Sequence, residues 1–377
     1  ALPFYEAAAE QGHVGAHYFL ARLYDTGRGA AQDHSLAAHY YQLPAEKLYL
    51  DANWRLGVLA RDGLGMVANP KEMERLFLTA SRQGDVRAQR ALGKAYRNGK
   101  YLGQNYDQAI FFLSLAIKQQ DRDAQFILGQ MRLKGEGGDV NFEDAVFNFR
   151  KAADNGHMLA QFTLADMLHK GETIKQDLAE AAYYYEQAAL QGHMLSQYRT
   201  AKFYDKGRAG LQNHALAVKF YKLSAKQGYV PAQYNLAMLL ENGLGVPADM
   251  KQSAFWYQKA ADRGDMNAQY ALGMMYDAGR GVSQSYLKAA SLYLAAAEQG
   301  HIEAQVNLGV VFVKGELAAQ NYIEAHMWFN IAAAQGNRTA RDYRDRIAKL
   351  MIPQDISTAQ RLAQSCLSKN YIGCSTL

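Results

Sequence analysis

The chain has 377 residues, enough for two or three ordinary domains or one elongated array, and its six prolines, 25 tyrosines and 49% hydrophobic content suit packed helices rather than disorder. The formal net charge is only +5, from 41 lysines and arginines against 36 aspartates and glutamates, so charge does not indicate a nucleic-acid partner. No apolar run approaches the roughly 18 to 20 residues that span a bilayer, so no membrane span is expected.

The beginning of the chain reads as part of a repeat. Residues 1–12 match the second half of the repeats described below, and the first residue is Ala1 rather than methionine. We therefore expect residues 1–12 to form the second helix of a truncated N-terminal repeat, with further sequence upstream. A signal peptide could lie in that upstream sequence.

A 36-residue period runs through the chain after this segment. It is marked by glycines separated by multiples of 36 residues, namely Gly12, Gly84, Gly156, Gly192, Gly228, Gly264, Gly300 and Gly336. Leu48 and Gln120 fill the two gaps in this series. Nine consecutive repeats therefore run from 13–48 to 301–336 without an insertion or deletion. We number each repeat from position 1 to position 36, so that the marker residue occupies position 36.

Two further positions define the helices of each repeat. Position 15 is a glycine in all nine repeats, and glycine readily adopts the left-handed backbone that commonly ends a helix. Position 21 always carries a side chain that can accept hydrogen bonds from the amides of a helix start; these residues are Asp33, Asn69, Asn105, Asn141, Asp177, Asn213, Asp249, Ser285 and Asn321. Each repeat is therefore predicted to contain a helix A that ends at position 15 and a helix B that begins after position 21.

Both helices carry an apolar stripe at helical spacing. Helix A has a small residue, a leucine four residues later and often an aromatic residue, as in Ala268, Leu272 and Tyr276. Helix B has a small residue, an aromatic pair and two small residues, as in residues 253–261. Because one helix pair cannot bury both of its faces, stability is expected to come from the stacking of repeats.

Two segments depart from the pattern. Pro44 lies within helix B of the first repeat and is predicted to shorten or bend it. After Gly336 the pattern is lost, and a helix is predicted around Gln354–Ser368 as a lid on the last repeat. Residues 337–377 are therefore predicted to form a C-terminal helical cap.

A family resemblance is carried by residues 268–282, AQYALGMMYDAGRGV, and by residues 296–301, AAEQGH. They resemble the Sel1-like repeat, a relative of the tetratricopeptide repeat, and the resemblance covers essentially residues 1–352. It implies an all-α, right-handed superhelical α-solenoid of about nine helix-turn-helix repeats with a C-terminal capping helix. Sel1-like proteins are generally adaptors, and bacterial members include periplasmic assembly factors and secreted proteins that engage host partners. The resemblance implies no cofactor and no particular partner.

Three patterns that can indicate a catalytic or ligand site have simpler interpretations. Glycine pairs such as Gly27 and Gly29 recur at the end of helix A, and no Lys-Ser/Thr follows them to complete a phosphate-binding loop. His157 and His193 occupy position 1 of neighbouring repeats, about 10 Å apart by usual helix spacing, which is too far to share a zinc ion. Ser285 begins a Ser-x-x-Lys motif, of interest because some cysteine-rich Sel1 relatives have been described as β-lactam binders. It occupies the helix-cap position, however, and no Ser-Asp-Asn or Lys-Thr-Gly partner occurs.

The two cysteines, Cys366 and Cys374, are eight residues apart. On one continuous helix they would lie roughly 12 Å apart, too far for a bridge, but Asn370 and Gly373 can break the helix and make a bridge feasible. The residues alone leave open a disulfide and two unrelated thiols of a cytosolic protein. The family resemblance favours the disulfide, because cysteine-rich Sel1 relatives use the same offset. A disulfide implies the periplasm or the outside of the cell.

The predicted partner surface is the concave face of the A helices, at positions 6, 10, 13 and 14. In the middle repeats these positions are mainly basic, with Arg90, Lys94, Arg97, Lys134, Lys170, Lys202 and Lys206 among Asp166 and Asp205. Towards the end they are apolar, with Tyr234, Met238, Tyr270, Met274, Val310 and Val313. A partner segment with acidic residues and an apolar anchor is therefore predicted in the groove, although aromatic residues at position 6 also suit packing between helices.

The leading hypothesis is a bacterial periplasmic or secreted scaffold that binds a protein or peptide partner. A helical-repeat RNA-binding protein is the first alternative, but the outward positions mix Asp, Glu, Met and Val with Lys and Arg. An enzyme is less favoured, because no repeat gathers a nucleophile, a base and an orienting group. The sequence leaves the partner, the process and the oligomeric state open.

Overall fold

The computed structural model describes residues 2–210, 212–315 and 319–374, and all regular secondary structure in these ranges is helical. The chain divides into two compact halves, Ala1–Gln187 and Ala188–Leu377. We call them the N-terminal half and the C-terminal half and describe each by itself.

The helices alternate between A and B. In the N-terminal half they are α1 (Leu2–Glu10), α2 (Val14–Thr26), α3 (His34–Glu46), α4 (Leu50–Asp62), α5 (Pro70–Arg82), α6 (Val86–Asn98), α7 (Tyr106–Lys118), α8 (Arg122–Lys134), α9 (Phe142–Asp154) and α10 (Met158–Lys170). The boundary between the halves falls inside α11 (Leu178–Leu190). From α2 to α19, even-numbered helices are A helices and odd-numbered helices are B helices.

The C-terminal half continues the alternation and ends with two further helices. Its helices are α12 (Met194–Lys206), a 3-10 turn (Arg208–Gly210), α13 (His214–Lys226), α14 (Val230–Asn242), α15 (Met250–Ala261), α16 (Met266–Ala278), α17 (Tyr286–Ala297), α18 (Ile302–Lys314), α19 (Tyr322–Ala334), α20 (Arg338–Ala348) and α21 (Pro353–Ser368). The predicted all-α fold of repeated helix pairs is confirmed.

The predicted helix boundaries are also confirmed. A position 15 glycine follows each A helix with φ between 63° and 70°, and the Gly27 amide, for example, donates to the carbonyl of Leu23 at 2.9 Å. At every position 21 the side chain accepts a hydrogen bond from an amide in the first turn of helix B. The Asn141 Oδ1 atom, for example, lies 2.9 Å from the amide nitrogen of Asp144.

The marker residue at position 36 has a left-handed backbone as well. Gly84 has a φ of +93°, and the two residues that replace glycine in this series, Leu48 and Gln120, each have a φ of +62°. A side chain in this region brings its Cβ too close to the backbone, at a cost of about 1–2 kcal/mol. The ends of these two repeats are therefore strained.

Replacing Gln120 with glycine is expected to raise the free energy of unfolding by about 1 kcal/mol, because the strain exceeds the entropy that glycine adds to the unfolded chain. Equilibrium denaturation in urea measures the change. Gln119→Gly is the matched control and should destabilise the chain, since Gln119 has a φ of −96° and its side chain donates to Gln89 and to the carbonyl of Gly84. Equal or lower stability of Gln120→Gly would contradict the strain.

The core of each repeat lies between its two helices. A large side chain at position 29 of helix B packs on position 9 of helix A, where the residue is glycine or alanine. A Cβ atom added to Gly273 would lie 2.7 Å from Cε1 of Tyr293, and one added to Gly309 would lie 2.6 Å from Cε1 of Phe329. The glycines therefore allow rings that are at most 1% exposed to lie directly on the backbone of helix A.

A buried glutamine at position 5 connects successive helices, a role that we did not predict from the sequence. The Nε2 atom of Gln233 donates to the carbonyl of Ala225, and that of Gln89 donates to the carbonyl of Ser81. These carbonyls lie in the last turn of the preceding B helix, beyond the regular i to i−4 hydrogen bonds of the helix. Each of these carbonyls also accepts from the amide of the marker glycine, Gly228 or Gly84, so the glutamine amide adds a second hydrogen bond that joins helix A to the preceding helix B.

Pro44 does not shorten its helix, which corrects that part of the prediction. The helix α3 has 13 residues, the same number as α5. Pro44 lies only two residues before the end of α3 at Glu46, and its own carbonyl accepts from the amide of Tyr49. A proline so close to a helix end removes one helical hydrogen bond without interrupting the helix.

The predicted C-terminal helix is present as α21, which packs against α19. Ala363 and Cys366 are buried in one cluster with Trp328 of α19. Cys366 and Cys374 form the predicted disulfide, with their Cα atoms 5.1 Å apart. The tail also contacts the end of α17. The Gly373 amide donates to the carboxylate of Glu298, the C-cap residue of α17, at 2.8 Å. Residues 375–377 of the predicted cap lie outside the described residues.

Candidate partner-binding surface on the A helices

The outward face of the A helices is narrower than we predicted from the sequence. At 100° per residue, positions 6 and 13 lie within about 20° of each other around the helix, whereas positions 10 and 14 are rotated about 40° and 80° further. Asp205, at position 13, is only 5% exposed, and Lys94 and Lys206, at positions 10 and 14, are exposed. The inclusion of position 13 among the outward positions was wrong for Asp205, because this position faces helix B.

Aromatic rings at position 6 pack within and between repeats. The Tyr234 ring centroid lies 5.7 Å from that of Tyr257, and the Tyr270 centroid lies 6.0 Å from Tyr293 and 4.5 Å from His301 of the next repeat. Burial raises the pKa of both Tyr234 and Tyr270. These two rings therefore support the packing of the repeats, while each remains partly exposed on the outward face of the A helices, which we call the A face.

Position 13 supplies a partner for the buried residue at position 29. Where position 29 is a tyrosine, its hydroxyl donates to an acidic side chain at position 13 in three repeats, Tyr41 to Asp25, Tyr221 to Asp205 and Tyr257 to Glu241. Where position 29 is phenylalanine or leucine, position 13 is Arg61, Arg97, Leu133 or Val313. The acidic residues at this position thus satisfy buried hydroxyl groups, and Asp205 in addition lies 3.0 Å from the ammonium group of Lys206.

Two of the predicted basic residues form ion pairs within the N-terminal half. Arg90 Nη1 lies 2.5 Å from a carboxylate oxygen of Asp121 and 3.1 Å from one of Asp123. Arg97 Nε lies 2.6 Å from the carboxylate of Glu136. These arginines connect neighbouring A helices, so their charge is largely compensated by the chain itself.

The predicted lysines differ in their surroundings. Lys170 lies 2.7 Å from Asp166 in the N-terminal half, and Lys206 lies 3.0 Å from Asp205 in the C-terminal half. Lys202 packs over the ring of Tyr198, and burial lowers its pKa, as do nearby cationic side chains. Lys94 is exposed and has no ion-pair partner in the described part of the chain.

Lys94 borders a cleft of about 380 Å³ in the N-terminal half. We call it the Ala95 cleft; its lining residues are Trp54, Arg61, Asp62, Met73, Phe77, Arg87, Arg90, Ala91, Lys94, Ala95, Asn98, Lys100 and Tyr101. Most of these residues were not singled out from the sequence. A second cleft, of about 470 Å³, borders α8 and shares Lys94 and Asn98 with the first. Together the lining residues of the two clefts include residues on the A helices of four consecutive repeats, from α4 to the start of α10.

The predicted apolar residues lie in the C-terminal half. Val310 and Val313 line a pocket of about 320 Å³ with Phe329, Tyr343 and Ile347. Met238 and Met274 are partly buried on α14 and α16. Within this half, the pocket and the two methionines are therefore the apolar part of the predicted partner surface.

The position 1 histidines are helix caps. Nδ1 of His157 accepts from the Ala160 amide at 3.0 Å, and His193 and His301 make the same contact at the start of α12 and α18. Burial lowers the pKa of all three rings. Protonation would place a hydrogen on the accepting nitrogen and would remove the cap, so the neutral ring is the form that stabilises the fold.

Acidification is therefore expected to destabilise the fold through these histidines. Because their pKa values in the folded state lie below the unfolded value of about 6.5, the unfolded state binds protons more tightly, and stability falls as pH drops through the unfolded pKa. For His157, Asp123 opposes this shift and Arg122 favours it.

The change His157→Asn should reduce the loss of melting temperature between pH 7.5 and pH 5.5. Asparagine keeps the cap without titrating, as Asn337 does at position 1 before α20. His39→Asn, at an exposed position, is the matched control. An equal loss of melting temperature in wild type and His157→Asn would contradict the role of the neutral cap.

Ser285 and the glycine pairs have structural roles. Ser285 Oγ accepts from the amide of Lys288, so the serine of the Ser-x-x-Lys motif caps α17. Gly27 and Gly29 lie in the turn after α2 with φ of +69° and +95°. Within the described ranges, no three His, Cys, Asp or Glu side chains are grouped as metal ligands. None of the helices described is long and apolar enough to cross a membrane.

Stacked helix pairs with fixed glycine and cap positions define the class of helical-repeat proteins. Within that class the chain belongs to the Sel1 repeat family, whose pattern matches it in ten segments: 1–13, 14–47, 50–85, 86–121, 122–157, 159–193, 195–229, 230–265, 267–301 and 302–337.

Solved structures of Sel1 proteins are similar to this chain. A protective antigen of uropathogenic Escherichia coli, c5321, has 29% identity and a TM-score of 0.59, with 99% of this chain and 88% of that chain covered. A Sel1 repeat protein from Oxalobacter formigenes has 30% identity and a TM-score of 0.54, with 82% and 89% covered. Chitin synthase regulator SKT5 of Saccharomyces cerevisiae is 37% identical over 114 residues, which are 29% of this chain but only 16% of that protein.

Proposed function

We propose that this chain is a non-enzymatic scaffold that binds a protein or peptide partner on the outward face of its A helices. The observation that carries the proposal is the pair of adjoining clefts on the A face of the N-terminal half, which combine apolar lining residues with exposed cationic ones. Clefts with an apolar floor and a few charged groups are suited to holding the side chains of a partner. Membership of a repeat family whose fold commonly serves as an interaction scaffold supports the same assignment.

In this proposal the partner segment is acidic where it meets the N-terminal half and apolar where it meets the C-terminal half. Lys94 supplies uncompensated charge, whereas the charges of Arg90 and Arg97 are largely compensated by Asp121, Asp123 and Glu136. Met238, Met274 and the Val310 pocket supply apolar contacts. Charge should mainly set the association rate, and burial of apolar anchors should supply most of the affinity.

We further propose that the protein acts in the periplasm or outside a bacterial cell. The Cys366–Cys374 disulfide supports this location, because disulfides persist in oxidising compartments. The similarity to a protective antigen of uropathogenic Escherichia coli is compatible with it. Alkylation of the protein isolated from its source, before and after reduction, should give no free thiol in the native chain; two free thiols would contradict an oxidising compartment.

Site-specific photo-crosslinking tests the partner surface. A benzophenone amino acid placed at Lys94 or Met238, on A helices, is expected to give a protein adduct in the source organism. The controls are Phe147 and Leu287 on B helices, which are 57% and 64% exposed. Adducts from positions 94 and 238 alone would support the proposal. Adducts only from the B helices, or from none of the four positions, would contradict it.

RNA binding is the competing function, and a titration distinguishes it. Several basic residues that could meet phosphates are already paired, including Arg90, Arg97 and Lys170. Gel-shift titrations with single-stranded and structured RNA should therefore show no tight complex. Salt-sensitive binding at sub-micromolar concentration would overturn the assignment to a protein partner.

A further inference from the structure

The Ala95 cleft arises at a position where one repeat lacks a large side chain. Position 11 is large and apolar in the eight other repeats, where it is Leu23, Leu59, Met131, Met167, Phe203, Leu239, Met275 and Val311. Leu59, Met131, Leu239 and Met275 are all 0% exposed, so this position normally fills the space between helices. Alanine at position 95 leaves part of that space open.

The open space has an apolar interior. Met73 and Phe77 of α5, Trp54 of α4 and Ala91 of α6 line it together with Ala95. The Trp54 ring stacks on Phe77 at 5.0 Å, so the floor is held in a fixed arrangement. A volume of about 380 Å³ falls within the usual size range of ligand pockets, roughly 300–1,000 Å³.

The rim of the cleft is cationic. Arg61, Arg87, Arg90, Lys94 and Lys100 line it, and Asp62 is its one lining carboxylate. The three arginines already have carboxylate partners within the chain: Arg61 pairs with Asp62, Arg87 with Asp85 and Asp51, and Arg90 with Asp121 and Asp123. Lys94 and Lys100 have no ion-pair partner in the ranges that the structure describes. Two lysines are therefore available to carboxylates of a ligand.

We propose that the Ala95 cleft receives one large apolar side chain from an acidic segment of a partner protein. The apolar side chain occupies the space that leucine or methionine fills at position 11 elsewhere, and flanking carboxylates meet Lys94 and Lys100. This assignment rests on the proposed scaffold function and names the chemistry of the partner at one site.

An extended polypeptide fits the surface better than a small molecule does. The second cleft shares Lys94 and Asn98 with the first and runs along α8, where Phe126 and Ile127 line it, to the start of α10, where His157 and Leu159 line it. A ligand anchored at Ala95 would therefore find further contacts along the A face. Base stacking by a nucleic acid is less favoured, because the Trp54 ring already contacts Phe77 and the Arg87 guanidinium.

Peptide selection on the full chain tests the inference. A phage library of random dodecapeptides is selected on the wild-type protein, and the enriched peptides are titrated against Ala95→Leu. We expect the enriched sequences to carry acidic residues around one large apolar residue. Their affinity for Ala95→Leu should be lower than for the wild-type protein by about tenfold or more. Ala95→Ser preserves the space and is the matched control, with unchanged affinity.

Further measurements separate the possible outcomes. Ala95→Leu should melt no lower than wild type, because leucine occupies this position in other repeats, and Lys94→Glu with Lys100→Glu should weaken binding of the acidic peptides. Enriched peptides without acidic residues, or equal affinity of wild type and Ala95→Leu, would overturn the inference. If the enriched peptides bound Ala95→Leu as well as wild type but bound the double variant Met238→Ala with Met274→Ala more weakly, the scaffold function would remain supported and the Ala95 cleft would not be the site. Failure to enrich any peptide would count against both the scaffold function and the proposed site. If the protein bound single-stranded RNA and Ala95→Leu abolished that binding, the ligand of the cleft would be a nucleic acid and not a peptide.

Discussion

Truncating Leu272 to alanine is expected to lower the free energy of unfolding by about 2–5 kcal/mol. Leu272 lies on α16, is 1% exposed and packs in the main cluster of the C-terminal half. The loss is the sum of the transfer free energy of the removed atoms and the free-energy cost of the cavity that they leave. Each helix pair packs only on its neighbours, so no other part of the fold compensates for the loss. Equilibrium denaturation of wild type and variant measures it.

Leu287→Ala is the matched control for this truncation. Leu287 is 64% exposed on α17, so its replacement should change stability by no more than about 0.5 kcal/mol. Leu272→Met keeps the volume and should cost less than about 1.5 kcal/mol. A loss below about 1 kcal/mol in Leu272→Ala would mean that the leucine stripe of the A helices is not the core.

Removing the disulfide is expected to destabilise the C-terminal lid by about 2–4 kcal/mol. The bridge closes a short loop, and Cys366 is 2% exposed in the cluster that joins α21 to α19. Without the bridge, the segment that carries Tyr371 and Gly373 is held by the packing of Tyr371 on this cluster and by the bond from the Gly373 amide to Glu298. The double change Cys366→Ala with Cys374→Ala should therefore increase amide exchange in α21 and α19.

Reduction of the wild-type protein provides a control that changes no side chain. It should reproduce the increased exchange in α21 and α19, whereas exchange in the N-terminal half should remain at the wild-type level in both samples. Unchanged exchange in α21 after reduction would mean that packing alone holds the lid. Equal increases in every helix would contradict nearest-neighbour stability.

Most of the fold could be predicted from the sequence because its signals are local and repeated. The position 15 glycines and the position 21 caps each act within one helix end, so a residue type such as Asn141 indicates its own role. The shortening that we expected at Pro44 was wrong, because a residue type alone does not show how near the helix end it lies. Its cost depends on its distance from the helix end, and α3 ends only at Glu46.

The candidate site was harder to predict because it depends on contacts between helices. The apolar stripe of helix A, taken alone, placed position 13 on the outward face, but the Asp205 carboxylate accepts from the hydroxyl of Tyr221 on helix B. The pairing of acidic residues at position 13 with tyrosine at position 29 is visible in the sequence and could have indicated this. Likewise, Ala95 is the one small residue at position 11, a signal that marks the cleft only once its neighbours in space are known.

The most direct test of the central claim is the affinity of a partner for variants of the two helix faces. For a partner identified by crosslinking, Met238→Ala with Met274→Ala, on A helices, should weaken binding by about 1–3 kcal/mol without changing the circular dichroism spectrum. Phe255→Ala with Leu287→Ala, on exposed faces of B helices, should leave the affinity unchanged. Unaltered affinity in the methionine variant, together with a loss in the B-helix variant, would place the partner on the other face of the repeats and contradict the proposed function.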